Sequence, residues 1–591
     1  MSDVAIAPSI TLGDSALSIT WQAALLEVRI DRQLNVPSRV TLRFLDPGYS
    51  LLQSQVAALG KAVRVVDPRQ SSLVLVDAEV TAIACEQRPG EQPELLVEAH
   101  DRSHRLGRAT QASTYTSMSP GQVVESLAEK AGLSASVTAS GETMEYLLQV
   151  DSDLGLLGEL ARRQGCDWWV DTSATLHYGQ PSSSKTVSLT LGDDLLSFSA
   201  RASGQRPDSV TVDGWDRDSQ SVVSGSATQP STAVMASSTL ASMVSNPGSA
   251  FGSAALHTSA LGAQTAGEAT QLSQAILNRQ AAAAVEASGV LAGDGRIEPG
   301  MVVDVSGAGP LSGTYPVTAV EHVYRPGRGY RTRFTCGDRQ PTGLVTTLGA
   351  GGGAGLGTSV VSHAGLTVGQ VTNINDPANK GRVKVQFPGL SGNEESAWAR
   401  IAVLGGGVQR GNVFIPEVDD EVLVAFEGGD TRAPVVIGGL YGQKSTIPTP
   451  DIADGKVQKR QIASRLGHTV SILDGTSPAT EAIELTLAGG NSSIHLGKDK
   501  LAITVPSGTP VSITAGSSSL QIANSGAVTL QGSTISIKAE QQLQLQAPSV
   551  SVSAGTSLSL EGQVSAALKG AQVQVQSEGP ASITGTPVSI N

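Results

Sequence analysis

The sequence predicts a mainly β chain with some α-helix, closed by a short-period β repeat. Three observations carry this. Apolar and polar residues alternate over much of the 591-residue chain, the pattern of half-buried strands. Five short strand candidates crowd into residues 366–441 with turn residues between them, which suits a small closed barrel of the OB type. From residue 501 onward, apolar pairs recur about every eight residues, a period that points to a β-helix or β-prism. The composition agrees: 66 glycines provide for many turns, and 40% hydrophobic residues are too many for a disordered chain.

Residues 1–110 read as strands. "SALSITWQAALLEVRIDRQLNVPSRVTLRFLD" alternates, and "LVLVDAEVTAIACEQRPGEQPELLVEAHD" reads as a hairpin about Pro89 and Gly90. Two helices follow. "SMSPGQVVESLAEKAGL" offers Ser119 as N-cap, Pro120 at the first helical position and Gly132 as the stop. "DSDLGLLGELARRQGCDWWVD" starts from an Asp-rich cap and stops at Gly165, then passes into a strand and a hairpin to "TLHYG". Residues 205–345 return to strands, interrupted by a helical stretch near "AGEATQLSQAILNRQAAAAVEA". "LGAGGGAGLGTS" (348–359) is a flexible linker by composition. Its GxGxxG-like spelling has no following Lys, no strand–helix frame and no suitably spaced acid, so no nucleotide loop is expected there. The OB-like block comprises "LTVGQVTNI", "RVKVQFPG", "SAWARIAV", "DEVLVAFEG" and "PVVIGGLYG".

After Tyr441 the chain changes character. Its last 150 residues contain no aromatic side chain, and from 501 onward the charges are Lys538, Glu540, Glu561, Lys569 and Glu578 alone. The clearest apolar pairs are Val528 and Leu530, Ile535 and Ile537, Leu543 and Leu545, Val550 and Val552, Leu558 and Leu560, and Val573 and Val575; the slot near 566 is degenerate. Each pair reads as a short strand with one apolar face. Such a strand cannot stand alone, and each aliphatic side chain gains about 1.5–3 kcal/mol on full burial. An eight-residue repeat is too short to circle a single-chain β-helix, which needs about twenty residues per coil. Three copies solve the geometry: each supplies one face of a triangular prism, the stripes meet on the axis, and strand edges pair between chains. Small apolar residues fit a narrow axis where aromatics would not.

The charge balance restricts function. A net charge of −13 and a pI near 5.2 disfavour a nucleic-acid surface and a polybasic membrane anchor. "MSDVAIAPSITLGDS" lacks the basic start and apolar core of a Sec signal, and no run reaches membrane-spanning length, so synthesis and folding in the bacterial cytoplasm are expected. Cys85, Cys166 and Cys336 are far apart and form no CxxC, and read as buried free thiols. His100 and His104 are four apart, a metal-ligand spacing on a helix. They close a strand in "AHDRSHRL", so packing or hydrogen bonding is the expected role. His363, His468 and His495 are isolated. Trp168 and Trp169 read as core or interface rather than a ligand platform, and "DGWDRDSQ" as a solvated turn. No catalytic, cofactor or metal site is expected. A tailspike-like glycan depolymerase would need paired carboxylates and aromatic sugar platforms; three glutamates and no aromatics beyond 500 argue against one. A secreted adhesin would need a signal peptide and usually an anchor.

Several motifs resemble a known family in order along the chain. "GRVKVQFPG", "AWARIAV", "VFIPEVDDEVLVAFEGGD" and "APVVIGGLYG" resemble the OB domain of VgrG spike proteins. "KRQIASRLGHTVSILDG" (459–475) is similar to the neck that follows it. "AHDRSHRLGR" and "DLGLLGELARRQGCDWWVDTSATLHYG" are similar to the hub shared with phage late-control tail proteins, and "ITGTPVSIN" to spike ends. The resemblance implies two β-barrel-like hub domains, an OB-fold barrel and a C-terminal trimeric triple-stranded β-helix. It places a first hub barrel at 1–110, an α+β connector at 111–204, a second hub barrel at 205–345, a Gly-rich linker at 346–365, the OB domain at 366–442, the neck and start of the spike at 443–500, and the spike at 501–591. It also implies a non-enzymatic homotrimeric spike and baseplate hub of a contractile injection system. The partners would be inner-tube or hub-adaptor proteins, baseplate proteins, effectors, the target membrane on firing, and a PAAR-like tip protein on Pro587, Val588, Ser589, Ile590 and Asn591. The segment "ITWQAALLEVRIDRQLNVPSRVTLRF" looks closer to spikes of free extracellular injection particles than to type VI VgrGs or phage tail spikes. Some phage spikes carry a lysozyme domain between barrel and needle; here "GQKSTIPTPDIADGK" leaves no room for one. One departure is Asp419, where the family often has Gly; Asp tolerates the turn.

Overall fold

The computed structural model describes residues 7–590, apart from position 14, the stretches 181–184, 232–235, 260–261, 338–364, 390–393 and 449–450, and positions 476, 478 and 479. The Gly-rich linker at 348–359 and the terminal Asn591 lie outside the described residues. The chain divides into two units, Met1–Ile447 and Pro448–Asn591.

In the first unit the alternation acts as a sorting rule. On strand Arg39–Leu45, Val40, Leu42 and Phe44 point into the core while Arg39, Thr41 and Arg43 face outward. Thirteen strands join in one sheet. Its centre runs Val285–Leu291, Gly329–Cys336, Gly313–Arg325, Leu25–Gln33, Arg39–Leu45, Glu94–His100 and Val74–Glu86, each antiparallel to the next. Because Gly313–Arg325 pairs with Leu25–Gln33, the two expected hub barrels are half-barrels sharing one sheet. Each half keeps its own core. One is built on Trp21, Ile30, Phe44 and Val97, the other on Leu189, Leu291, Tyr315 and Phe334. Strands Thr186–Thr190 and Leu195–Ala202, grouped by sequence with the connector, pair into this assembly through Val302–Ser306 and Val285–Leu291.

The connector is a compact α+β piece. Helix Pro120–Ala131 starts at a reciprocal capping box: Ser119 Oγ accepts from Gln122 N–H at 3.3 Å, and Gln122 Oε1 accepts from Ser119 N–H at 2.9 Å. Helix Asp153–Gln164 is capped by Ser152, not by the neighbouring aspartates, with Oγ accepting from Gly155 N–H at 3.1 Å. It ends at Gly165, whose φ is +67°. Gly165 also lies against helix Ala266–Ala282: a Cβ there would sit 2.7 Å from Ala275 Cβ. Asp167–Val170 and Thr175–Gly179 form the expected hairpin. Helix Ala266–Ala282 stops before Val285, which opens a strand. Four short helices, Ile19–Ala24, Ser50–Gln53, Ser238–Met243 and Pro247–Phe251, were not foreseen; the first two interrupt residues 1–110, which read as strands throughout.

The OB-like block forms a five-stranded sheet in the order Lys384–Gln386, Thr367–Asn373, Glu421–Phe426, Pro434–Gly439, Arg400–Ile401. Val371, Val385, Phe387, Val422, Val424 and Phe426 fill it. Leu148, from the antiparallel pair of Ser113–Met118 and Met144–Gln149, is buried in the same core. Asp419 takes a left-handed conformation, φ +74°, as the turn requires. Cys166 and Cys336 are buried, but Cys85 is exposed. Strand Val74–Glu86 loses its buried face beyond Val80, and Cys85 lies on that outlying half.

The second unit opens with an antiparallel meander: Lys459–Ala463, Thr469–Asp474, Glu481–Thr486, Ser493–Gly497 and Leu501–Thr504. Val511–Ala515, Ser518–Ile522 and Val528–Gln531 form a second meander. Here the structure departs from the expectation that strand edges pair between chains. Between 501 and 531 each strand pairs with its own chain neighbours: Leu501–Thr504 folds back on Ser493–Gly497, and the turns at Gly516 and Gly526 fold the next three strands on one another. Beyond Gln531 no strand forms within the chain among the described residues.

Candidate functional site

The meander of the second unit gathers its aliphatic residues on one face. Ile462 lies opposite Val470, Val470 opposite Leu485, Leu485 opposite Ile494, and Ile494 opposite Ile503. A second row runs Ile472, Ile483, Leu496, Leu501. All nine side chains are 41–66% exposed. The next sheet repeats the motif: Val511 opposes Ile522, Ile513 opposes Leu520, Leu520 opposes Leu530, and Ile522 opposes Val528. The other face of the first meander is polar, with His495 Nδ1 hydrogen-bonded to Glu484 Oε1 at 2.8 Å.

The predicted stripe continues this pattern. Val528, Leu530, Ile535, Ile537, Leu543, Leu545, Val550, Val552, Leu558, Leu560, Val573 and Val575 are all 48–83% exposed. At the end of the chain Pro587, Val588, Ser589 and Ile590 are exposed as well. Among the described residues of the unit, Ser471 and Ala482 are the only buried ones. A cooperative fold needs an apolar interior, and within one chain the described residues of this unit supply none beyond Ala482.

The first unit carries an apolar patch that the sequence reading missed. The hairpin of Gly406–Gly407 and Arg410–Gly411 holds out Leu404 and Val408, 88% and 92% exposed, with Val413 and Phe414 close by in sequence. The available signal was "VLGGGVQRGNVFIPEV", whose apolar residues lack a period of two and so match no half-buried strand.

A buried ionic network ties the OB domain to the connector and to helix Ala266–Ala282. Arg432 reaches Glu268 at 2.8 Å and Asp430 at 2.7 Å. Arg163 reaches the same Glu268 at 2.5 Å and Glu159 at 3.6 Å. Arg217 donates to the Arg432 carbonyl at 3.1 Å and to Gln264 at 2.5 Å. Burial pushes the Glu268 carboxyl up, but Arg432 and Arg163 outweigh it and hold it below the ordinary range. Asp430 is depressed in the same way, burial being overcome by Arg432. Thr431 Oγ donates to the Leu148 carbonyl at 2.7 Å, and Tyr146 donates to the Glu395 carbonyl at 2.5 Å.

The other residues singled out in the sequence have structural partners. His100 Nδ1 lies 2.7 Å from Thr81 Oγ1, and His104 Nε2 lies 2.6 Å from Glu79. Among the described residues no group of three His, Cys, Asp or Glu side chains could hold a metal ion. Trp168 is core, and Trp169 stacks on His177 with ring centroids 5.0 Å apart.

Sequence comparison matches residues 367–441 to the type VI secretion system/phage-baseplate injector OB domain. Type VI secretion system spike protein VgrG3 of Vibrio cholerae is 40% identical over 12% of this chain and 7% of its own length. Spike protein VgrG5 of Pseudomonas aeruginosa is 44% identical over 12% of this chain and 9% of its own. Residues 367–441 are thus similar to the injector OB domain, and the chain is similar to VgrG spike proteins over this part of its length. VgrG2a of Pseudomonas aeruginosa is 29% identical over 22% of the chain, and the matches span 7% to 17% of these relatives. A second family, described as the Alg8 N-terminal domain, matches residues 76–325. Among solved structures, an E. coli component of the type VI secretion system superposes with a TM-score of 0.43 at 15% identity, over 71% of this chain and 97% of that one. The Francisella PdpA–VgrG complex gives 0.46 at 8% identity, over 81% and 76%.

Proposed function

We propose that this chain is the homotrimeric central spike and baseplate hub of a contractile injection system. The observation that supports the reading best is the lack of an apolar interior among the described residues of the second unit: two of them are buried, against apolar rows exposed from Ile462 to Val575. Three copies turned inward would convert those rows into a dry axis, and the closed arrangement would shelter the strand edges. The hub would sit on the inner tube or its adaptors among the other baseplate proteins. The needle would meet the target membrane, and the exposed end at Pro587–Ile590 would receive a PAAR-like tip protein. The work would be mechanical rather than enzymatic: a contracting sheath drives the tube, and the stiff needle concentrates force so that effectors can pass. Assembly would begin in the bacterial cytoplasm, and the N-terminal strands favour a particle released from the cell.

Light scattering on the purified full chain tests the reading. A mass three times the 60.4 kDa of one chain is expected. A folded, soluble single subunit overturns it.

A further inference from the structure

The outward face of the thirteen-stranded sheet carries a row of directly opposed side chains on six consecutive strands: Arg333, Glu321, Asp31, Arg39, His100 and Glu79. Beside this row, against the turn Arg102–Gly107, opens a cleft of about 670 Å³. That volume falls in the range of ligand-binding clefts, about 300–1,000 Å³.

The charges in its walls do not cancel. Asp31 is held by Arg29 at 3.1 Å and by Arg39 at 3.0 Å, and Glu321 by Arg29 at 2.6 Å. Arg32 is buried and bonds Glu298 at 3.3 Å. Both carboxylates of the cleft are thus neutralised by arginines. Arg108 and Arg333 line the same cleft, are exposed, and have no carboxylate partner among the described residues. They come from different elements, one following the turn and one on strand Gly329–Cys336. Two separate guanidiniums suit two carboxylates carried on one backbone. Val36 and Leu154 supply apolar wall for the stem between them.

We propose that this cleft receives an extended acidic polypeptide segment, with carboxylates on Arg108 and Arg333. The proposal is independent of the trimeric needle. It is tested on the full chain by fluorescence anisotropy with a fluorescein-labelled hexaglutamate peptide. Saturable binding is expected, absent for labelled hexaglutamine and weakened by added salt. Replacing Arg108→Ala and Arg333→Ala together should weaken it by about ten-fold or more, while Arg88→Ala, at an exposed hairpin arginine, leaves it unchanged. Neither target side chain has a carboxylate partner among the described residues, so the double variant should keep the wild-type melting point. The idea is overturned if hexaglutamate does not bind, if hexaglutamine binds equally well, or if the double variant binds like wild type. Calorimetric binding of citrate without binding of hexaglutamate would also overturn it, in favour of a small-anion site.

Discussion

Arg432 shows how much one side chain can hold together. Its guanidinium is shared by Asp430 beside it on the OB loop and by Glu268 on helix Ala266–Ala282. Removing it would leave both carboxylates buried without their main partner, a defect that costs about 3–5 kcal/mol in buried ion pairs. Arg432→Ala should therefore destabilise the first unit by about that amount in urea denaturation at neutral pH. The pH dependence has a definite sign. Glu268 and Asp430 are depressed in the folded state, so their contribution is complete above the ordinary carboxylate range and lost as pH falls through their lowered values. Glu159 works the other way, since burial raises it despite Arg162 and Arg163. The gap between wild type and Arg432→Ala should accordingly narrow below about pH 4. A gap that stays constant into acid would show that Arg432 acts by packing alone.

At the level of elements, what could be read from sequence was what is encoded locally. Ser119, Pro120 and Gly132 bracket a helix because each meets a terminal backbone requirement that neighbouring residues cannot. The stop at Ala282 was hidden, since the run Ala281–Ala284 favours helix on both sides of the boundary and only the sheet ahead of it decides where the strand begins. Helices of six and five residues are too short to display a period. The pairing of Leu25–Gln33 with Gly313–Arg325 was illegible for another reason: strand alternation specifies a face but not a partner. One packing constraint shows only in the fold. Strand Ser221–Ala227 crosses helix Ala266–Ala282 so closely that a Cβ on Gly225 would lie 2.1 Å from Thr270 N and 2.3 Å from Ala269 C. Both obstacles are backbone and cannot rotate away. Gly225→Ala should cost about 1–3 kcal/mol by overpacking, measured as a lowered midpoint of thermal unfolding. Gly60→Ala has open space around its Cβ but a φ of +78°, so its cost is backbone strain alone, of about 1 kcal/mol.

For the whole molecule, the repeat and its uncovered stripe were legible because the apolar pairs keep their spacing with no aromatic residue and only five charged ones among them. The antiparallel turns between Leu501 and Gln531 were not, since the same pairs fit strands joined within a chain or between chains. The proposed needle follows from what the single chain lacks. Ile537 and Leu545 are 65% and 72% exposed, on a stretch with no strand partner among the described residues. If three copies bury them, Ile537→Asp or Leu545→Asp would bring three carboxylates together on a dry axis, where no compensating cation is at hand. Either substitution should abolish the heat-resistant trimer in electrophoresis and reduce the light-scattering mass to that of one chain. Ile537→Val, which keeps an apolar stripe, should leave the trimer intact and remove only about 0.5–1.5 kcal/mol per chain. A residue that is exposed in the working assembly would accept aspartate without effect, so an unaltered trimer in both charged variants would exclude the axial packing of this stripe.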